Sequence, residues 1–291
     1  MPNVNDEYPG KAPKTMSDKQ LKDIATAKYQ AQVADDTDEQ TVVHDFPTEI
    51  IELPSKGKLY PEGHPLSKGT IEMKYMTAKE EDILTNQSFI KQGIVLDKLF
   101  KALIVTPVNF NDLFLCDKNA IMIAARILGY GKEYVAKVKH PETGEDLEVN
   151  VDLTKLGEKE IDWAVHNKRD NSYEFELPAS KRTVTLSLMT QGKQSALDRE
   201  MKGLAKLKKQ AGISTLLKHI ITSLDGEDDS QTIRKYVDNM LAIDSRAIRQ
   251  YLVSITPEID LNIEVPDGES GDTFRVPLAI GLDFFWPDAK V

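Results

Sequence analysis

The sequence predicts an α+β fold of two pseudo-repeated units, each an opening β-hairpin, a small helical bundle and a closing β-hairpin, behind a flexible N-terminal arm. Three observations predict it. The second half repeats the first at an offset of about 127 residues: Asp117-Lys118-Asn119-Ala120-Ile121 recurs as Asp244-Ser245-Arg246-Ala247-Ile248, and Gly144 and Val149 recur in register as Gly271 and Val276. Stretches of two-residue apolar alternation are interleaved with stretches whose apolar residues return every three or four positions, which places strands and helices in one chain. The first 45 residues show neither pattern clearly. The expected divisions are an arm over 1–45, a first unit over 46–152, a linker over 153–171 and a second unit over 172–291.

The arm holds Pro2, Pro9, Pro13, many charges and the acidic cluster Asp35-Asp36-Thr37-Asp38-Glu39. With few large apolar residues it cannot offset its ordering entropy through burial. Inside it, Ser17 is placed to cap a helix carrying Leu21, Ile24, Ala27 and Ala31 along a narrow stripe. Such a helix suits docking on a partner; a transient helix without one is the alternative.

In the first unit, Ile50-Ile51-Glu52-Leu53 reads as a short strand and Thr70 to Met76 as an alternating strand able to pair with it, around a turn-rich excursion from Pro54 to Gly69. Thr77 followed by Glu80 matches a capping box and starts a helix to about Leu84. Leu96, Leu99, Phe100, Leu103 and Ile104 fall on one face of another helix. Asp117 reads as the N-cap of a strongly apolar helix through Leu128, stopped at Gly129-Tyr130-Gly131. Strands around Tyr134 to Lys139 and Asp146 to Val151 flank the turn His140-Pro141-Glu142-Thr143-Gly144. The linker carries a short helical pattern with Leu156, Ile161, Trp163 and Ala164.

The second unit replays that order. Tyr173 to Pro178 and Thr183 to Leu188 make its opening hairpin, with Leu177-Pro178 echoing Leu53-Pro54. A helix is expected over Gln191 to Gln210, then a core face at Leu216, Leu217, Ile220 and Ile221 broken by Leu224-Asp225-Gly226. Ile233, Val237, Met240 and Leu241 give the next helix, and Asp244 caps another through Ile248, Leu252 and Val253. Strands near Ile259 to Val265 and Thr273 to Leu278 close the unit.

Composition narrows the function. The chain has 291 residues, 40% hydrophobic, with a formal net charge of −10. That charge argues against a general grip on nucleic-acid phosphates. No run approaches the ~20 apolar residues that span a bilayer, and no basic segment followed by an apolar one begins the chain, so the protein is expected to stay where it is made. The single cysteine, Cys116, sits in the apolar run Leu113-Phe114-Leu115-Cys116 and reads as a packed core thiol.

The sequence offers no catalytic, cofactor-binding or metal-binding residues. It lacks Gly-x-x-x-x-Gly-Lys, Gly-x-Gly-x-x-Gly after a strand and His-Glu-x-x-His. Its five histidines are scattered, and the acidic turn at Asp225, Glu227, Asp228 and Asp229 lacks the ligand alternation of a calcium loop. Ser55-Lys56-Gly57-Lys58 fits Ser-x-x-Lys without the partner motifs of that chemistry, so a hydrolase using Ser55 and Lys58 is an alternative only. Lys202, Lys206, Lys208 and Lys209 suggest a weak nucleic-acid alternative; the competing reading is the wet face of a helix opposite Leu204 and Leu207.

The unrepeated parts become the candidate contacts: the arm, the 54–69 loop and the tail Gly281-Leu282-Asp283-Phe284-Phe285-Trp286-Pro287-Asp288. Three consecutive aromatics bury much area wherever they go. They either plug this protein's own core or anchor in a partner's groove.

Glu52-Leu53-Pro54-Ser55-Lys56-Gly57, the Glu80-Glu81-Asp82-Ile83-Leu84 helix, the Asp117 and Asp244 helices, the Asp244-Ser245-Arg246 cluster and the terminal Phe284-Phe285-Trp286-Pro287 follow one another in an order that resembles the T4-type bacteriophage base plate protein family. The resemblance covers roughly residues 46–288. It implies a cofactor-free baseplate hub subunit or hub assembly factor of a contractile tail, a building block or chaperone found in the virion or in the host cytoplasm during assembly. Its partners would be phage tail or baseplate proteins, met through Leu21, Ile24, Phe284, Phe285 and Trp286. Members of this family can carry Cys-x-x-Cys in the hairpins occupied here by His140-Pro141-Glu142-Thr143 and Val265-Pro266-Asp267-Gly268. Neither hairpin keeps a cysteine, so the resemblance does not extend to a zinc ribbon.

Overall fold

The computed structural model describes residues 46–208, 212–266 and 273–285. Leu21, Ile24 and Trp286 lie outside the described residues, as does Gly271 of the repeat. The described chain is mixed α and β, with eight α-helices and small antiparallel sheets of two or three strands.

Thr48–Glu52 (β1) pairs with Thr70–Lys74 (β2), Thr48 opposite Lys74 and Glu52 opposite Thr70. The turn-rich chain between them contributes to the core. Leu53, Leu59, Tyr60 and Leu66 are buried core residues, and Pro65–Lys68 forms a 3₁₀ turn. The loop doubles back so closely that a Cβ on Gly57 would lie 2.3 Å from the Ser67 carbonyl oxygen. Gly57 and Gly69 serve packing as well as turning.

Ala78–Thr85 (α1) starts at the expected capping box: the Glu80 carboxylate accepts from the Thr77 amide at 3.0 Å and ion-pairs with Lys74 at 2.8 Å. Gln87–Gln92 (α2), which the sequence did not signal, is capped by Asn86 and has no buried residue, so no apolar stripe announces it. Val95–Leu103 (α3) buries Val95, Leu99, Phe100 and Leu103. Leu115–Tyr130 (α4) is buried almost all round. Glu133–Lys139 (β3) and Asp146–Asp152 (β4) pair antiparallel behind it.

The second half follows with Tyr173–Glu176 (β5), Thr183–Leu186 (β6), Gln191–Lys206 (α5), Ile213–Ile220 (α6), Ile221–Leu224 (β7), Ser230–Asp238 (α7), Ala242–Ile255 (α8), Asn262–Pro266 (β8) and Thr273–Pro277 (β9). Two expectations change here. Ile221 does not end a helix but opens β7, which joins the hairpin as its third strand; β-branched Ile221 and Thr222 suit that edge. Ile259 makes only a bridge to Glu158, and β8 begins at Asn262.

Asp117 and Asp244 are not N-caps. Each is the third residue of its helix, after Phe114 and Leu241 in the cap positions, and each is fully buried. The Asp117 carboxylate accepts from the Ser55 amide at 3.0 Å and the Tyr60 hydroxyl at 2.7 Å. The Asp244 carboxylate accepts from the amides of Ala179 and Ser180 at 2.8 and 3.1 Å. A carboxylate in a helix's first turn is favoured by the helix dipole, and here it satisfies the amides of a neighbouring loop instead of its own helix. Burial pushes the Asp117 carboxyl above its usual range, although the Tyr60 and Ser55 donors pull the other way.

The two halves exchange their connecting turns. Trp163–His166, after the first closing hairpin, reaches α8: the His166 Nε2–H donates to the Ile255 carbonyl at 2.8 Å, leaving Nδ1 to accept from the Tyr173 hydroxyl. Leu282–Phe285, after the second, reaches α4: Arg126 Nε donates to the Phe284 carbonyl at 3.1 Å.

Candidate interaction surface

The tail aromatics show what the fold does with its most conspicuous apolar residues. Phe284 and Phe285 are 1% and 0% exposed. The Phe284 ring packs on Tyr134 with centroids 4.8 Å apart, while Arg126 lies over Tyr130 and Tyr134. Both phenylalanines are buried in the protein's own core in this conformation, Phe284 against α4 and β3 and Phe285 edge-on to Phe284.

The halves meet again at the start of α4. Phe114 bridges Thr190, with the Leu115 amide donating to the Met189 carbonyl and the Gln191 amide to the Leu113 carbonyl at 3.1 and 2.8 Å. Lys118 pairs with Asp97 at 2.7 Å and donates to Gln191 at 2.9 Å. Beside this junction runs a groove of about 830 Å³ with walls from α4, the end of β6, α6 and α8. Phe114, Met122, Met189, Leu216, Leu252 and Val253 make it apolar, and Arg249 and Glu258 stand in its wall. Cys116 also faces it; burial pushes its thiol well up, so it behaves as a packing group.

The hydrolase alternative finds no assembled pair. Ser55 is fully buried, its Oγ accepting from the Gly57 amide at 3.3 Å. Lys58 points away, its Nζ 4.9 Å above the Trp163 ring, and Lys56 pairs with Glu158 at 2.9 Å. A second Ser/Lys contact exists at the groove wall, where Lys193 donates to Ser187 Oγ. That hydroxyl donates in turn to the Ile220 carbonyl at 3.0 Å, an arrangement that gives the half-buried lysine an acceptor and keeps the serine proton on its oxygen. Burial holds the Lys193 amine below its ordinary value. Among the described residues no group of three or more His, Cys, Asp or Glu side chains could hold a metal ion. None of the described helices is long and apolar enough to cross a membrane.

The basic stretch is not the wet back of a helix whose leucines face inward. Leu204 is half-buried and Leu207 is 69% exposed, because α5 ends at Lys206 and Leu207 belongs to the turn beyond it.

Residues 46–279 match the family model described as T4 bacteriophage base plate protein. The chain belongs to this family. The match runs through both halves of the baseplate-family fold and ends short of the Leu282–Phe285 turn. No curated protein matches the chain, and no solved structure does. Membership gives this baseplate-family protein a structural role connected with the phage baseplate.

Sequence reasoning missed the groove. The sequence places Val253 on a helix with Ile248 and Leu252, yet it is 65% exposed and lines the groove. The available signal was spacing: Ile243, Arg246 and Val253 lie off the stripe that carries Ile248 and Ile255.

Proposed function

We propose that the protein acts by protein–protein binding, as a subunit of the baseplate hub or as a factor that assembles it, in the virion tail or in the host cytoplasm during assembly. The observation that carries this reading is the baseplate-family match across both halves of the chain. Its support from the site is an open apolar groove. Leu21, Ile24 and Trp286 remain proposed contacts with tail proteins. Mass spectrometry of purified particles tests the reading. A fixed small copy number supports a hub subunit, presence only in assembly intermediates supports an assembly factor, and absence from both ends the proposal.

The two halves are further proposed to be copies of one unit. Supporting this, Asp117 and Asp244 hold equivalent hairpin loops, and Met76-Thr77 and Met189-Thr190 stand before α1 and α5 with the threonine at the cap. Met73 bridges Ile104 as Leu186 pairs Ile221. Equal sensitivity of the two aspartates to substitution is the test, taken up below.

A further inference from the structure

Helix α8 is covered on one side only. Asp244, Ile248 and Ile255 point into the fold, whereas Ile243 and Val253 are each 65% exposed. At 100° per residue, Ile243, Arg246, Gln250 and Val253 share the outer face. The positions of α4 that correspond to Ile243 and Val253 by the sequence repeat are Cys116 and Arg126, which are 6% and 2% exposed because the rest of the chain closes over them. The outer face of α8 is the copy left open.

That face is continuous with the groove, since Val253 belongs to both and Arg249, beside the face, lines the groove. It is also unbalanced in charge. Arg182, Arg234 and Arg275 each hold a carboxylate at 2.6–2.9 Å. Arg246 and Arg249 are exposed, and among the described residues neither has a carboxylate at ion-pair distance. In a chain of net charge −10, two unpaired guanidiniums between exposed isoleucine and valine are a local reversal of the overall field.

We propose that this face, with the groove it opens into, docks an acidic amphipathic helix of another baseplate protein; this rests on the protein-binding reading above. Ile243 and Val253 lie about 15 Å apart along the axis, roughly three turns, which suits apolar anchors on a helix laid alongside. Carboxylates flanking those anchors meet Arg246 and Arg249. A nucleic-acid strand fits less well, because the cations are bracketed by exposed aliphatic side chains. A second copy of this chain fits less well too, because a two-fold contact through this face sets its arginines against themselves.

The test uses the full chain and two labelled 21-residue peptides, each with leucine along one helical stripe and either glutamate or lysine elsewhere, followed by fluorescence anisotropy. The glutamate peptide is expected to bind, and R246E/R249E to weaken it about tenfold or more. Val253→Asp should weaken it similarly, with thermal unfolding of both variants unchanged because the altered side chains are exposed. Equal binding of the lysine peptide, or glutamate-peptide affinity unaffected by the substitutions, overturns the proposal. So does competition by a single-stranded oligonucleotide, or self-association by sedimentation that the same substitutions abolish. Failure of the peptide to bind refutes this site while leaving the particle measurement to decide the hub reading independently.

Discussion

Arg126 donates from Nε to the carbonyl oxygen of Phe284, so a cation in the middle of α4 holds a turn 158 residues away in sequence. Its Nη1 also donates to the Gly131 carbonyl at 3.2 Å, and its charge rests against two tyrosine rings. Arg126→Met removes the donors and leaves the buried Phe284 carbonyl unmatched, at a cost of about 1–3 kcal/mol. Phe284→Ala should cost about 3–5 kcal/mol through lost burial and a cavity. Urea unfolding measures both. A stability change below 0.5 kcal/mol (about the scatter of surface substitutions) for Phe284→Ala would contradict the plug.

The buried aspartates make a paired prediction. Asp117→Ala strands the Ser55 amide and Tyr60 hydroxyl, and Asp244→Ala strands the amides of Ala179 and Ser180. Each should cost about 1–3 kcal/mol, since two donors lose their acceptor. Tyr60→Phe should cost less than Asp117→Ala, because the Ser55 contact survives. If one aspartate proves dispensable and the other essential, the two-copy proposal loses its best structural support.

Two glycines in one loop separate conformational strain from steric exclusion. Gly57 and Gly63 both have positive φ, at 71° and 85°. Only at Gly57 does backbone occupy the Cβ position; at Gly63 nothing lies within 4 Å. Gly63→Ala is expected to cost roughly 1–2 kcal/mol from the left-handed backbone alone. Gly57→Ala should cost clearly more, since Ser67 and Gly69 must move. Thermal melts of the two variants side by side check the order.

His166 gives a pH dependence with a defined sign. Burial holds its ring below the ordinary value of 6.5, and the Nε2–H donated to Ile255 together with Nδ1 accepting from Tyr173 describes a neutral ring. Below about pH 6.5 the unfolded chain binds a proton that the folded chain resists. The stabilisation is therefore present above that pH and lost progressively as pH falls toward the depressed folded value. Comparing urea midpoints at pH 5.5 and 7.5, wild type should lose more stability on acidification than His166→Gln. Identical losses would show that this histidine does not carry the effect.

Local order was largely legible. The capping box at Thr77 and Glu80, the core stripe at Leu99, Phe100 and Leu103, and the hairpins at 133–152 and 173–186 follow from periodicity, caps and turn residues, all short-range properties. The family was legible too, because a motif order survives in sequence. The tertiary structure decided matters that depend on distant partners. Asp117 and Asp244 look like caps until loops more than 50 residues away supply the amides they satisfy. The 54–69 loop has turn composition, yet Leu59, Tyr60 and Leu66 are buried once α4 stands beneath it. Phe284 and Phe285 carry the same apolar area whether they plug a core or seek a partner, and it is the fold that buries both, with Phe284 against Arg126 and Tyr134. The stretches of α4 and α8 that align at the 127-residue offset likewise end up buried and open, because burial depends on what packs against a helix as well as on its own residues.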